Sequence, residues 1–112
     1  MTDTATATAT FEKLERNGKV AILYSPGFGA GWYTWNTEHP GLVFDREVVE
    51  AVLGGNIPKA VEIAHKKYGE FYDGGSDDLD VMWLPKGSQF EIDEYNGSES
   101  VHVIGGHDYL TA

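Results

Sequence analysis

The hydrophobic pattern of this chain changes period at about residue 79, and that change limits the folds it can adopt. Before residue 79, apolar side chains recur at helical spacing, and a short continuous apolar run precedes the helical stretch. After residue 79, apolar and polar residues alternate, as in strands with one buried face. The sequence therefore predicts an α+β domain in the order β-α-α-β-β-β, with two helices packed on one face of an antiparallel sheet.

Two helices are predicted between residues 45 and 69. Asp45 is suited to cap the first helix, with Glu47 in its first turn, and Gly54-Gly55 ends it. Asn56 is suited to cap the second, which Gly69 ends. The apolar faces comprise Val48, Val49, Val52 and Leu53 in the first helix, and Ile57, Ala60, Val61, Ala64 and Tyr68 in the second.

Four strands are predicted, at Lys19–Tyr24, 79–84, Gln89–Tyr95 and 98–104. Asn96-Gly97 is a strong signal for a two-residue hairpin turn, which sets Tyr95 opposite Ser98. A turn at residues 85–88 would set Leu84 opposite Gln89 and join the two preceding strands. These two registers together predict one apolar face, comprising Leu79, Val81, Trp83, Phe90, Ile92, Val101 and Val103.

The opposite face of this predicted sheet is acidic. Asp80 is expected beside Asp93, Glu91 opposite His102, and Glu94 opposite Glu99 near the hairpin tip, although like charges directly opposed cost stability. The candidate partner-binding residues are Asp80, Glu91, Asp93, Glu94, Glu99 and His102. A solvated sheet face is the alternative interpretation. Carboxylates with one imidazole suit a divalent cation, but the spacing matches no recognised site, so no metal is predicted.

The net charge limits the partners of the chain. The 112 residues carry a formal net charge of −10 and no cysteine, so disulfides and thiolate metal sites are excluded. Residues 57–112 contain eleven acidic and four basic residues, whereas residues 1–56 contain seven and four. Such a surface repels nucleic acid and anionic membranes and attracts basic surfaces, although acidity also serves solubility alone. No apolar stretch is long enough for a membrane span.

Residues 24–36 combine three alternating glycines with three large aromatic side chains directly after a strand. The GxGxG spacing matches neither a dinucleotide fingerprint nor a P-loop. One interpretation is a loop that holds a small ligand on backbone amides and aromatic rings. The candidate residues are Ser25, Gly27, Gly29, Gly31, Trp32, Tyr33 and Trp35. The alternative is that these aromatic side chains fill the edge of the core.

Catalytic chemistry has little support in the sequence. Ser25 follows a strand, but glycines do not flank it as they flank the serine of a nucleophile elbow, and Pro26 comes next. No motif sets a general acid beside a general base, and only His102 has predicted acidic neighbours. The sequence therefore predicts a protein that is not an enzyme, with no catalytic residues and no cofactor.

The motifs YSPGxGAGW, from Tyr24 to Trp32, and DEYxGSES, from Asp93 to Ser100, resemble those of small accessory proteins of bacteriophages, prophages and plasmids. The resemblance covers about residues 19–104 and assigns no functional residue. It implies that the protein works in the bacterial cytoplasm and interferes with a host or defence factor.

Two functions remain open. The first is a modulator or inhibitor that binds a basic host or defence protein through its acidic face. The second is a binder of a small, nucleotide-type ligand that uses the loop 24–36. In both, residues 11–112 form one domain after a disordered tail at residues 1–10.

Overall fold

The computed structural model describes residues 11–27, 31–95, 98–103 and 110–112. The predicted tail at residues 1–10, Gly29 of the loop and the Asn96-Gly97 turn lie outside these residues. The elements, in chain order, are β1 (Glu15–Arg16), β2 (Lys19–Tyr24), α1 (Gly41–Phe44), α2 (Arg46–Leu53), α3 (Ile57–Tyr68), a 3₁₀ turn (Ser76–Asp78), β3 (Asp80–Pro85), β4 (Gln89–Tyr95), β5 (Ser98–Val103) and β6 (Leu110–Thr111). The fold is α+β.

The strands form two antiparallel sheets rather than the single predicted one. The first sheet has the order β1-β2-β3, and the second has the order β5-β4-β6. Asn17 and Gly18, with φ of 54° and 77°, form the turn between β1 and β2. These positive values suit the two-residue hairpin turn that an Asn-Gly pair favours.

The strand β2 lies between two apolar layers. Ala21 and Leu23 belong to a core cluster shared with α2 and α3, whereas Val20 and Ile22 belong to a cluster shared with Phe90 of the second sheet. Both faces are therefore buried, which explains why this strand reads as a continuous apolar run instead of an alternating one. Helices α2 and α3 cover one face of the first sheet, and the second sheet covers the other together with Val43 and Phe44 of α1.

The predicted pairing of residues 79–84 with Gln89–Tyr95 is wrong. β3 pairs with β2 instead, with Leu84 opposite Val20 and Asp80 opposite Tyr24. Pro85 to Ser88 carry the chain from one sheet to the other, and the Lys86 and Gly87 amides donate to the Gly18 and Ala112 carbonyls at 2.9 and 2.8 Å. Alternation identified a core-facing side of β3, although Met82 and Leu84 on its other side also pack into a core cluster. The alternating pattern contains no information about which strand is the neighbour.

The predicted register of the second hairpin is confirmed. Tyr95 is opposite Ser98, Ile92 is opposite Val101, and Phe90 is opposite Val103. Phe90 is fully buried, whereas Val103 at the other side of the pair is half exposed. The predicted apolar face is therefore divided between the two sheets, and its Val103 end is not covered by the described residues.

The helix boundaries follow the predicted caps. The Asp45 carboxylate accepts from the Glu47 amide at 2.9 Å, and the Asn56 side chain accepts from the Lys59 amide at 3.2 Å. Gly69 ends α3 with φ of 80°, a left-handed conformation that glycine adopts without strain. The short helix α1 was not predicted, since its four residues are too few to show a period.

Candidate functional site

The glycine/aromatic loop begins at Ser25, where β2 ends against the second sheet. Ser25 is completely buried, and its hydroxyl donates to the Gly75 carbonyl at 2.7 Å. Its own carbonyl accepts from the Glu99 amide at 2.7 Å. Because the hydroxyl is inaccessible and already donates its proton, Ser25 joins three segments of the chain and does not form an exposed nucleophile.

The side chain of Glu99 holds the loop from inside. Its carboxylate is 2 % exposed. One oxygen, Oε1, accepts from the Ser25 amide at 2.9 Å, and the other, Oε2, accepts from the Trp32 and Thr34 amides at 2.7 and 2.8 Å. The Thr34 hydroxyl also donates to Oε2 at 2.7 Å. Glu99 therefore occupies three of the backbone donors that the described part of this loop could offer to a ligand.

Glu99 does not belong to a solvent-facing acidic face, so that part of the prediction is wrong. It does lie opposite Glu94, as expected. The burial and the four donors explain why two like charges are tolerated there, because hydrogen bonds from N–H and O–H groups stabilise the Glu99 carboxylate. The unfavourable Glu94–Glu99 pair was the one sequence signal that pointed to a special role for this residue.

The aromatic side chains of the loop have different environments. Trp32 is fully buried, donates its indole N–H to the Leu42 carbonyl at 2.8 Å, and contacts Phe71 edge to face. Tyr33 is half-buried. Trp35 is 56 % exposed and lies 5.5 Å from the exposed ring of Tyr72. Trp32 thus belongs to the core, as the alternative interpretation predicted, and Trp35 remains accessible.

Asn36 is a buried residue that sequence reasoning missed. Its side-chain amide donates to the Trp32 and Tyr72 carbonyls, both at 2.7 Å, and its oxygen accepts from the Tyr72 amide at 3.0 Å. An Asn in a loop is common in turns, so its type alone gave no signal. Asn36 fixes the segment that carries Trp35 against the segment that carries Tyr72.

Close packing limits side chains at two glycines of the loop. A Cβ at Gly27 would overlap the Asp78 carboxylate, and a Cβ at Gly31 would overlap Thr34 and Trp35. Neither glycine has a positive φ. These positions need glycine because neighbouring side chains approach the backbone closely, and a bound ligand is not required to explain them.

The predicted acidic face is only partly assembled. Asp80 pairs with Tyr24 in the first sheet, so its predicted position beside Asp93 is wrong. Glu91 does lie opposite His102 in the second sheet, as predicted. His102 Nε2 is 3.5 Å from the Asp93 carboxylate, and both side chains are more than half exposed. Of the six candidates, Glu91, Asp93, Glu94 and His102 remain together on β4 and β5.

A groove of about 610 Å³ joins the acidic strand to the loop. Its lining includes Glu91, Asp93 and Glu94 of β4 and Tyr33, Thr34 and Thr37 of the loop. Ile92 and Leu110 also contribute to its lining. The two candidate surfaces that the sequence suggested separately, the acidic strand and the aromatic loop, therefore meet at one groove.

No Lys or Arg is among the residues that line this groove. Residues 87–112 contain no Lys or Arg, although the Lys13 ammonium reaches the second sheet and donates to the Thr111 carbonyl at 2.8 Å. Other bases have acidic partners: Lys59 with Glu62 at 3.4 Å, and Lys86 with Glu15 at 3.2 Å. Because the lining contains three carboxylates and no Lys or Arg, we expect a negative potential in the groove.

A second buried carboxylate, Asp45, lies on the far side of the first sheet. Besides capping α2, it accepts from the Tyr68 hydroxyl at 2.7 Å and from the Lys67 ammonium at 3.1 Å. Burial, followed by the Asp45 hydrogen bond, raises the pKa of Tyr68 far above its usual range. The hydrogen bond from Lys67 to Glu47 is the largest cause that raises the pKa of Lys67. The arrangement stabilises charges and supplies no base or nucleophile.

His65 joins the end of α3 to the following segment. Its ring stacks on Phe71 at 4.2 Å, Nδ1 is 2.9 Å from the Gly69 carbonyl, and Nε2 is 2.8 Å from the Asp73 carboxylate. The hydrogen bond to Asp73 raises the pKa of His65. Since both nitrogens face acceptors, the doubly protonated imidazolium satisfies both contacts at once.

The described residues contain neither a preformed metal site nor a membrane-spanning helix. No group of three or more His, Asp or Glu side chains there is arranged to hold a metal ion. In that same part of the chain, no helix is long and apolar enough to cross a membrane.

Comparisons with known proteins identify no family for this chain. A scan against protein-family models, a search of curated proteins and a search of solved structures each found no match.

Proposed function

We propose that this protein acts by binding, and that the groove between β4 and the loop 33–37 receives a basic surface of a partner protein. The observation that carries the proposal is the concentration of Glu91, Asp93 and Glu94 around one groove. Residues 87–112 supply no Lys or Arg to offset them. Clefts lined by charge of one sign attract partners of the opposite sign and accelerate their association.

The proposed partner is a host or defence protein of a bacterial cell. This part of the proposal rests on the resemblance of the YSPGxGAGW and DEYxGSES motifs to phage, prophage and plasmid accessory proteins. A protein that covers a basic surface would inhibit or modulate whatever that surface binds. Direct binding to nucleic acid or to an anionic membrane is disfavoured by the same charge.

The nucleotide-type ligand is a weaker alternative. Such a ligand would need the amides of Ser25, Trp32 and Thr34, which already donate to Glu99. The carboxylates that line the groove would also repel phosphate groups. The loop supports the first proposal instead, since Tyr33 and Thr34 contribute one wall of the acidic groove.

Two charge-matched triple variants test the proposal. In the groove variant, Glu91, Asp93 and Glu94 are each replaced by Lys. In the control variant, Glu70, Asp77 and Asp80 are each replaced by Lys, since these three are exposed and lie outside the groove lining. Each variant serves as bait in a bacterial lysate at low and high salt, and retained proteins are identified by mass spectrometry and then purified for binding measurements.

We expect a basic protein to be retained at low salt by the wild-type protein and by the control variant. The groove variant should bind the purified partner at least about tenfold more weakly, because each of three contacts becomes repulsive. Equal binding by both variants would contradict the proposal. Loss of binding in the control variant alone would assign the interaction to residues 70–80 instead.

A further inference from the structure

The strongest unexplained feature outside the groove is the donor arrangement around Glu99. Three backbone amides, from Ser25, Trp32 and Thr34, and one hydroxyl converge on a single carboxylate. The amides come from two parts of one loop, and the carboxylate comes from a hairpin that is 65 or more residues away in the chain. Converging N–H groups of this kind form anion-binding concavities in other loops.

We propose that the loop 25–34 contains a binding site for a carboxylate group, and that Glu99 is its built-in ligand. The donors belong to the loop alone, so the site does not depend on the covalent connection to Glu99. The two oxygens are recognised differently: Oε1 by one donor and Oε2 by three. This arrangement suits a planar carboxylate better than a tetrahedral phosphate or sulfate, whose further oxygens would lack donors in a buried site.

The site also defines how the hairpin is attached to the loop. Besides the carboxylate contacts, β5 reaches this segment by the Glu99 amide, which donates to the Ser25 carbonyl, and by the Ser98 hydroxyl, which donates to the Pro26 carbonyl at 2.6 Å. Because Glu99 is tethered, its effective concentration at the donors is high, and free carboxylates do not compete with it. If the side chain is truncated, the vacated donors should accept a small carboxylate from solution.

The test uses Glu99→Ala with formate as the probe. Formate supplies the carboxylate and no extra carbon, so it fits the space that truncation leaves. Thermal unfolding is followed at increasing formate, with chloride and sulfate at matched ionic strength to remove general salt effects. The expected result is a rise in Tm that begins near the dissociation constant and then grows with the logarithm of the formate concentration, roughly 5–10 °C at ten times that constant for a domain of this size.

Two controls make the test specific. In wild type the donors are occupied, and in Glu99→Gln the amide group fills the same space, so neither should show a rise in Tm specific to formate. An NMR titration supplies a second measurement: the amide signals of Ser25, Trp32 and Thr34 should move in Glu99→Ala on addition of formate. If formate does not stabilise this variant, or if it stabilises all three proteins equally, the proposed site does not exist.

If Glu99→Ala does not fold in buffer, a refolding experiment still tests the proposed site. Refolding from urea is then compared in formate and in chloride. Recovery of folded protein only in formate supports the site, and equal recovery in both salts overturns it. The two proposals are tested at different residues, because Glu99 does not line the acidic groove, although Thr34 contributes to both sites.

Discussion

At the scale of single residues, the buried carboxylate of Glu99 accounts for the conformation of a loop that has few side chains able to fix it. It accepts hydrogen bonds from the amides of Ser25, Trp32 and Thr34. Ser25 and Trp32 are candidate ligand-binding residues from the sequence, and Thr34 lies directly beside two others. The sequence identified the loop correctly as a place where backbone donors converge. It could not reveal that the anion comes from the same chain, because the partner is more than 60 residues away.

Glu99→Gln should destabilise the protein by about 1–3 kcal/mol. The Gln amide group keeps one acceptor oxygen, and its NH₂ group replaces the other oxygen of the carboxylate. The buried amides or hydroxyl that donate to that oxygen in wild type therefore lose their acceptor. Urea denaturation followed by tryptophan fluorescence measures the change in the free energy of unfolding.

Asp93→Asn on the same hairpin is the matched control for Glu99→Gln. The Asp93 side chain is 63 % exposed and its nearest basic partner, His102, is also exposed. We expect the control to stay within about 0.5 kcal/mol of wild type, as surface changes usually do. A Glu99→Gln variant as stable as this control would show that the carboxylate does not hold the loop.

At the scale of elements, local signals in the sequence were sufficient for the helices and for one hairpin. Asp45 and Asn56 cap the two helices where predicted, and β4 and β5 pair in the predicted register. Each of these features depends on residues close together in the chain. The division into two sheets depends instead on the contact of Val20 and Ile22 with Phe90, which are far apart in sequence and cannot be paired from alternation alone.

The contact between α3 and the segment after it should make stability depend on pH. The pKa of His65 is raised in the folded protein, chiefly by its hydrogen bond to Asp73. Its contribution is therefore fully present below the unfolded value of about 6.5 and is lost as the pH rises through the higher folded pKa. The difference in unfolding free energy between wild type and His65→Gln should be largest at acidic pH and should shrink towards alkaline pH.

Urea denaturation over a series of pH values from about 6 to 9 measures this difference. The Asp73→Asn variant is the control, because removing the carboxylate removes the main cause of the raised pKa. In that background, His65→Gln should change stability by nearly the same amount at every pH. A difference in the wild-type background that stays constant, or that grows as the pH rises, would contradict the assignment.

At the scale of the whole molecule, the basic residues are unevenly distributed along the chain. Lys and Arg occur only up to Lys86, and the second sheet that follows carries acidic side chains and His102. Net charge was readable from the sequence, and it correctly indicated an acidic second half. The positions of the individual charges on the surface could not be predicted, because strand pairing and burial decide where a charged side chain is exposed. Asp80 lies in the first sheet instead of beside Asp93, and Glu99 lies in the interior.

The remaining question is whether the groove, and not acidity in general, receives a basic partner. Residues 70–80 provide an internal comparison, since they contain five acidic residues and no Lys or Arg. A surface that acts only by net charge would use both regions, whereas a shaped site would use one.

The most direct test is an NMR titration of the isotope-labelled protein with a short arginine-rich peptide, recorded at low and at high salt. The account predicts that the shifted amide signals at low salt belong to residues 91–94 and to Tyr33, Thr34 and Thr37, which line the groove, and that the shifts diminish as salt screens the interaction. Shifts centred on residues 70–80, or spread evenly over the acidic surface, would contradict it.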